Sequence, residues 1–232
     1  MAHGQRARAI ELVGPAGSGK STLYRALAAQ CDRVTPGVPF GGLGHLRLGL
    51  RHAAQLLPAW LGSRDRWLGE KELRSLNYVV GWAEGLERGA PADTLAVFDH
   101  GPLFRLARLR AFGPRLVESA AFERWAEAAV ARWARLLDAV VWLDAPDALL
   151  AARIDGRDER HRMKGGAAGD TERFLARYRT AYDALLAELA AAGAPAPIRV
   201  DTSREPPEAI AEGLLARLGL TAREPHRRAR SG

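Results

Sequence analysis

Residues 10–27 read IELVGPAGSGKSTLYRAL, an apolar run that meets a glycine-rich turn and continues as a helix-forming segment. The turn fits the pattern G-x-x-x-x-G-K-[ST], with Gly14, Gly19, Lys20 and Ser21 in the fixed places. Glycines let successive backbone N–H groups turn inward around an anion, and the helix that follows adds its positive N-terminal end. The stretch Gly14, Pro15, Ala16, Gly17, Ser18, Gly19, Lys20, Ser21 and Thr22 is therefore expected to cradle the phosphates of a nucleotide. Lys20 would reach the β- and γ-phosphates, and the Ser21 hydroxyl would meet Mg²⁺. With this chain's own residue frequencies, a chance match arises in roughly two of a thousand chains. A glycine-rich turn that binds nothing is the alternative, but strand before and helix after are the context the motif requires.

With 232 residues, the chain is long enough for one sizeable α/β core. An apolar share of 47% excludes a disordered chain. The single cysteine, Cys31, forms no internal disulfide and fits a reducing compartment. There is no apolar leader and no run of about 18 apolar residues, so a cytoplasmic protein without a membrane span is expected. The formal charge of +7 raises the question of nucleic acid, yet the arginines are spread along the chain and some lie in the terminal REPHRRARSG. Nucleic-acid binding is not expected, and anionic small molecules account for the charge as well. A homodimer is compatible with the sequence.

Three further units repeat the strand–turn–helix rhythm: TLAVFDHG before PLFRLARLRAF, DAVVWLD before APDALLAARI, and PIRVDTS before PPEAIAEGLLARLGL. Short, nearly unbroken apolar strands between helices predict a parallel sheet covered on both faces. A weaker strand is expected near DRVTPGVPF. Residues 1–222 are read as a single domain and 223–232 as a basic tail.

Ligands of such sheets bind at the carboxyl ends of the strands, where Asp99, Asp144 and Asp201 are expected. Asp99 is the candidate to hold Mg²⁺ or orient an acceptor hydroxyl, with a turn cap as the structural alternative. Asp144 reads as an N-cap. Asp201 reads as structural, beside Thr202 and Ser203, which would cap the last helix or line an adenine pocket. In LLAARIDGRDERHRMKGGAAGD, Arg153, Arg157, Arg160, Arg162 and Lys164 crowd a glycine-rich segment. We read about 153–170 as a lid whose arginines, Arg153, Arg157 and Arg160 first, steady a transferring phosphoryl group. The alternative is a solvated charged loop, since Asp155, Asp158 and Glu159 supply opposite charge.

The P-loop GPAGSGKST, the strand-end DHGP, the strand VVWLD with RIDGRDERHRMK behind it, the helix TERFLARYRTAYDALLAEL and the terminal IRVDTS come in an order that resembles the nucleoside and nucleotide kinases, particularly thymidylate and deoxynucleoside kinases. The resemblance spans most of residues 8–220 and is weakest between 35 and 90. It implies a P-loop NTPase fold with a five-stranded parallel sheet, and transfer of the γ-phosphoryl of ATP, with Mg²⁺, to a small-molecule acceptor.

Two departures stand out. Such kinases carry Asp-Arg or Glu-Arg at the second strand end; this chain has Asp99-His100, so Arg105, Arg108 or Arg110 would take over the arginine's part. Deoxynucleoside kinases place a glutamate base near an earlier strand, whereas Asp32 is the only acid between residues 31 and 64. The base is then Asp99 itself or a group from DRWLGEKELRSLNYVVGWAEGLERG. Residues 36–90, with His45, Arg47, Arg51 and His52 early in the span, are expected to form the acceptor region, suited to an acceptor that already carries negative charge. The arginines of a hydrophobic helix pair facing water would look the same. Trp60, Trp67 and Trp82 are read as core rather than as stacking platforms. His100 keeps a second function open, a nucleotide-driven regulatory NTPase that acts with a protein partner.

Overall fold

The alternating units close into a five-stranded, wholly parallel sheet with helices on both faces. This computed structural model describes residues 7–39, 42–61, 69–89, 91, 93–156 and 168–220. Arg157, Arg160, Arg162 and Lys164, which carry most of the expected lid, lie outside the described residues, as does the tail 223–232.

The strands are β1 (Arg8–Val13), β2 (Val34–Pro36), β3 (Leu95–Phe98), β4 (Ala139–Asp144) and β5 (Ile198–Asp201), in the spatial order β2-β3-β1-β4-β5. The strand expected near DRVTPGVPF is β2. β1 lies at the centre, with Glu11 opposite Phe98 of β3 and Val140 of β4. Because the chain leaves β1 to opposite sides of the sheet, the loops after β1, β3 and β4 emerge together at the carboxyl edge, where a crevice forms.

The helices are α1 (Lys20–Gln30), α2 (Gly42–Leu61), α3 (Glu70–Glu87), α4 (Pro102–Phe112), α5 (Ala120–Leu136), α6 (Asp147–Asp155), α7 (Ala168–Ala191) and α8 (Pro207–Arg217), with a 3₁₀ turn at Arg115–Glu118. The two-residue period of β1 divides them between two layers. Ile10 and Leu12 enter a core with Leu23 and Leu27 of α1 and Ile210 and Leu214 of α8. Ala9 and Val13 enter the other core with Val79 of α3, Leu103 of α4, Trp133 of α5 and Tyr182 of α7. Glu11, between Ala9 and Val13, is carried to the same side as α4 and α7 by that period. Each fully buried leucine or isoleucine in these layers contributes about 1.5–3 kcal/mol.

Helix α5 shows how sequence sets the packing. Ser119 caps it by accepting the Phe122 N–H at 3.2 Å, and Phe122, Ala126, Ala129, Val130, Trp133 and Ala134 form its buried stripe. Trp133 is fully buried and its indole N–H donates to the Val79 carbonyl at 2.9 Å, joining α5 to α3. Trp133→Phe should destabilise the fold by about 1–3 kcal/mol, because the Val79 carbonyl loses its donor in a dry site. Trp133→Ala should cost about 3–5 kcal/mol. Urea unfolding of both variants checks the order.

Candidate active site

The loop between β1 and α1 is built by close backbone approach. Gly14, Gly17 and Gly19 all have positive φ. A Cβ on Gly14 would lie 2.0 Å from the Leu143 carbonyl oxygen of β4, so glycine is obligatory on space as well as conformation. The loop therefore lies directly over the end of β4. Lys20 opens α1 and is buried; its Nζ donates to the Gly14 and Pro15 carbonyls at 2.8 Å each and to Ser18 Oγ at 3.3 Å. Among these oxygens the ammonium is held at the loop's inner rim.

Ser21, one residue on, donates its hydroxyl to Asp99 Oδ2 at 2.9 Å. Asp99 follows the last residue of β3, and its Oδ2 lies 3.4 Å from His100 Nδ1. His100 is the largest cause holding the Asp99 carboxyl below its ordinary range, with Ser21 adding to it and burial opposing it. A hydroxyl and an ionised carboxylate in contact suit a hard cation that takes its other oxygens from phosphate and water. Among the described residues there is no group of three or more His, Cys, Asp or Glu side chains placed to hold a metal.

Two cavities meet at Ser21. The larger, about 880 Å³, runs from Gly19 and Thr22 past Arg25 and Arg153 to Thr202 and Pro207. The smaller, about 220 Å³, lies across Lys20 and is lined by His100, Phe104, Phe174 and Tyr178. His100 stands edge-on to Phe104 with centroids 4.7 Å apart, and the Phe104 and Tyr178 rings are parallel to within 11° at 6.3 Å.

The expected site residues fare differently. Arg153 sits on α6, where one Nη donates to Thr202 Oγ1 at 2.9 Å and Gly17 O at 3.4 Å and the other to Thr202 O at 2.9 Å. It ties the glycine-rich loop to the end of β5, beside the large cavity that Thr202 lines. Asp144 caps no helix: both its oxygens engage Arg179, at 3.1 and 3.0 Å, and Arg179 also reaches Asp147 at 2.6 Å. The N-cap expectation failed because α6 begins at Asp147 with Pro146 in the cap position, which leaves Asp144 as the last residue of β4, free to meet the Arg179 guanidinium from α7. Asp201 accepts from the Ser203 N–H at 2.9 Å and its hydroxyl at 2.6 Å, closing the turn after β5. The helix after it, α8, has Pro206 as its N-cap and no side-chain cap, so neither Thr202 nor Ser203 caps it.

Of the three arginines on α4, Arg110 is fork-bonded to Glu188 at 2.7 and 2.9 Å. Arg105 lies over the Tyr78 and Trp82 rings at 4.2 and 5.0 Å, and Arg108 has no carboxylate within salt-bridge distance among the described residues. In the expected acceptor span, Arg47 and Arg51 pair with Glu84, and His52 is buried edge-on to Trp125. Burial pulls His52 down to about 4, keeping it neutral. Trp82 packs on Phe98, as a core residue does. The side chains of His45 and Trp60 and all of Trp67 lie outside what is described.

Sequence reasoning missed Glu11. It is fully buried, and its two oxygens accept the Leu103 and Phe104 N–H groups at 2.9 Å each. The signal was there: one acid inside an otherwise apolar central strand. The aromatic wall Phe104, Phe174 and Tyr178 was missed too, since nothing local separates its rings from core aromatics.

The five-stranded parallel sheet flanked by helices, with β1 between β3 and β4, matches the fold seen in P-loop NTPase kinases. At the level of sequence, no protein-family model matches the chain and no curated protein is similar to it. In structure it is similar to deoxyadenosine kinase from M. mycoides with bound dCTP, at 13% identity over 91% of this chain and 98% of that one, with a TM-score of 0.53. The same enzyme with bound dATP gives 13% identity, coverage of 91% and 99%, and a TM-score of 0.51. The YorR protein of Bacillus subtilis, in complex with phosphorylated GDP, gives 17%, 91% and 95%, and 0.50. At such identities the likeness is one of fold. No described helix is long and apolar enough to cross a membrane.

Arg153→Ala should lower stability by about 1–3 kcal/mol, because two oxygens of Thr202 and one of Gly17 lose a charged donor. Arg153→Lys should recover little of it, since an ammonium cannot reproduce the planar fork. Denaturant titration of the two variants measures both.

Proposed function

We propose that the chain is an ATP-dependent small-molecule kinase that passes the γ-phosphoryl group to a hydroxyl of a nucleoside, a nucleotide or a similar metabolite. The observation that carries this reading is that Ser21, bonded to Asp99, borders both cavities, with Lys20 beside it on the smaller one. The 880 Å³ space is the size of a nucleotide-binding cleft. The 220 Å³ space on the other side of Lys20 is many times the volume that one attacking water needs. A protein that only hydrolysed its nucleotide would not need an aromatic chamber there, which favours the kinase over the regulatory NTPase.

In this reading the donor nucleotide lies in the larger cavity, with its phosphates in the loop Gly14–Thr22. The Lys20 ammonium exchanges the Gly14 and Pro15 carbonyls for β- and γ-phosphate oxygens. Ser21 and Asp99 would hold Mg²⁺, which supplies neutralisation of phosphate charge. The acceptor occupies the smaller cavity against Phe104, Phe174 and Tyr178. Asp99, kept ionised, is placed to take the proton of the attacking hydroxyl, and His100 borders the same space. Gly156, before the arginine-rich segment, lines the larger cavity, and Phe174, after it, lines the smaller. Arg157 and Arg160, outside the described residues, are proposed to steady the transferring group.

The test offers γ-labelled ATP and Mg²⁺ with nucleosides, nucleoside monophosphates and hydroxylated metabolites. Label should appear on one acceptor class; label released only to water would favour the regulatory NTPase. Lys20→Ala should reduce transfer by at least about 10²-fold with the fold intact, because the β/γ-phosphate clamp is lost. Asp99→Asn should lower kcat by about 10²- to 10⁴-fold, the range of a positioned general base. Near-normal turnover of that variant would reduce Asp99 to a turn residue.

A further inference from the structure

We infer that Glu11 is a positioning residue that locks the β3–α4 turn, and with it Asp99 and His100, to the strand that carries the phosphate loop. The inference rests on the kinase reading given above. Its basis is an irregular helix start. The N-cap of α4 is Gly101, which has no side chain, and Pro102 follows with no N–H. The first two amides of α4, those of Leu103 and Phe104, would point at nothing local. Glu11 Oε2 and Oε1 accept them, at 2.9 Å each, from a strand 92 residues away.

The same residue holds the turn from both sides. The Glu11 backbone is in register with Phe98, the last residue of β3, while its side chain grips Leu103 and Phe104. Residues 99–102 are closed between these two attachments. Space enforces the arrangement: a Cβ on Gly101 would lie 2.7 Å from Glu11 Cδ and 2.5 Å from Phe98 Cβ. Asp99 thereby meets Ser21 at 2.9 Å. The amide of Phe104 is held directly, and its ring lines the small cavity.

A side-chain cap at position 101 is closed off, because a Cβ there would meet Phe98 Cβ at 2.5 Å, so the acceptor oxygens come from β1. A carboxyl reaching from β1 does something a local cap does not: it couples the phosphate loop's strand to the acid across the crevice. The groups that face Glu11 are Asp99 at the end of β3, Arg105 on α4 and Tyr182 on α7. Burial raises the carboxyl to about 8, against the two amides and Arg105, which lower it. Folded protein therefore holds a proton here that the unfolded chain releases above about pH 4.5. The associated stability is complete below that pH and is lost as pH rises toward 8.

The experiment joins kinetics of Glu11→Gln to amide NMR of the wild type, followed from pH 6 to 9.5. Glutamine keeps the shape but gives the two amides only one acceptor oxygen. We expect kcat to fall at least tenfold while KM for ATP stays within twofold. In the wild type the Leu103 and Phe104 amide resonances should titrate together near pH 8, and in Glu11→Gln they should not. Wild-type kcat in the variant, or an equal loss in ATP affinity and kcat, overturns the inference. So does a wild-type spectrum in which those two amides do not titrate, a result that stands even if the variant fails to fold. Absence of phosphoryl transfer by the wild type counts against the kinase reading alone, since the amide titration requires no acceptor.

Discussion

Parallel pairing of β1 with β3 on one side and β4 on the other is the constraint on which everything at the site depends. It puts the end of β4 under Gly14, so close that no Cβ fits, and it puts the end of β3 beside the start of α1. The Ser21–Asp99 contact joins residues 78 apart in the chain because adjacent strands end at the same level. Helix packing fixes that level from two sides, with α1 and α8 below the sheet and α3, α4, α5 and α7 above it. The crevice is a consequence of strand order, and the chemistry follows from what the loops carry.

Electrostatics divides the arginines of this chain into structural and available ones. Arg110, Arg132 and Arg179 are forked onto carboxylates of other elements, and Arg153 is forked onto backbone and hydroxyl oxygens. Planar guanidinium groups suit these bridges, since one side chain satisfies two acceptors in fixed geometry. Part of the chain's arginine content is thus a half-buried scaffold between elements. Lys20 is different. Its ammonium donates to the Gly14 and Pro15 carbonyls and to Ser18 Oγ, at the inner rim of the loop.

Legibility in the sequence followed the range of the interaction. The strand–loop–helix of residues 8–30, the strand ends at Asp99, Asp144 and Asp201, and even the short β2 were readable from local patterns. Asp144 was misread as a cap because its partner Arg179 is 35 residues away, on a helix whose orientation no local pattern gives. Arg153 was read as part of a lid because it stands in an arginine-rich run; its link to Thr202 exists only once β5 pairs with β4. Glu11 went unnoticed for the opposite reason. Its neighbours are so apolar that the strand assignment was already secure.

By itself the sequence determined the fold class, the glycine-rich loop after β1 and the identity of the acid beside it, because hydrophobic period, glycine placement and motif spacing act over a few residues. Tertiary structure alone decided which side chains meet. It built the aromatic chamber from Phe104, Phe174 and Tyr178, fastened Arg153 to Thr202, and brought Glu11 under the first turn of α4. The physical reason is that burial and hydrogen bonding are properties of a place. Two residues 92 positions apart share a place only after the sheet has formed.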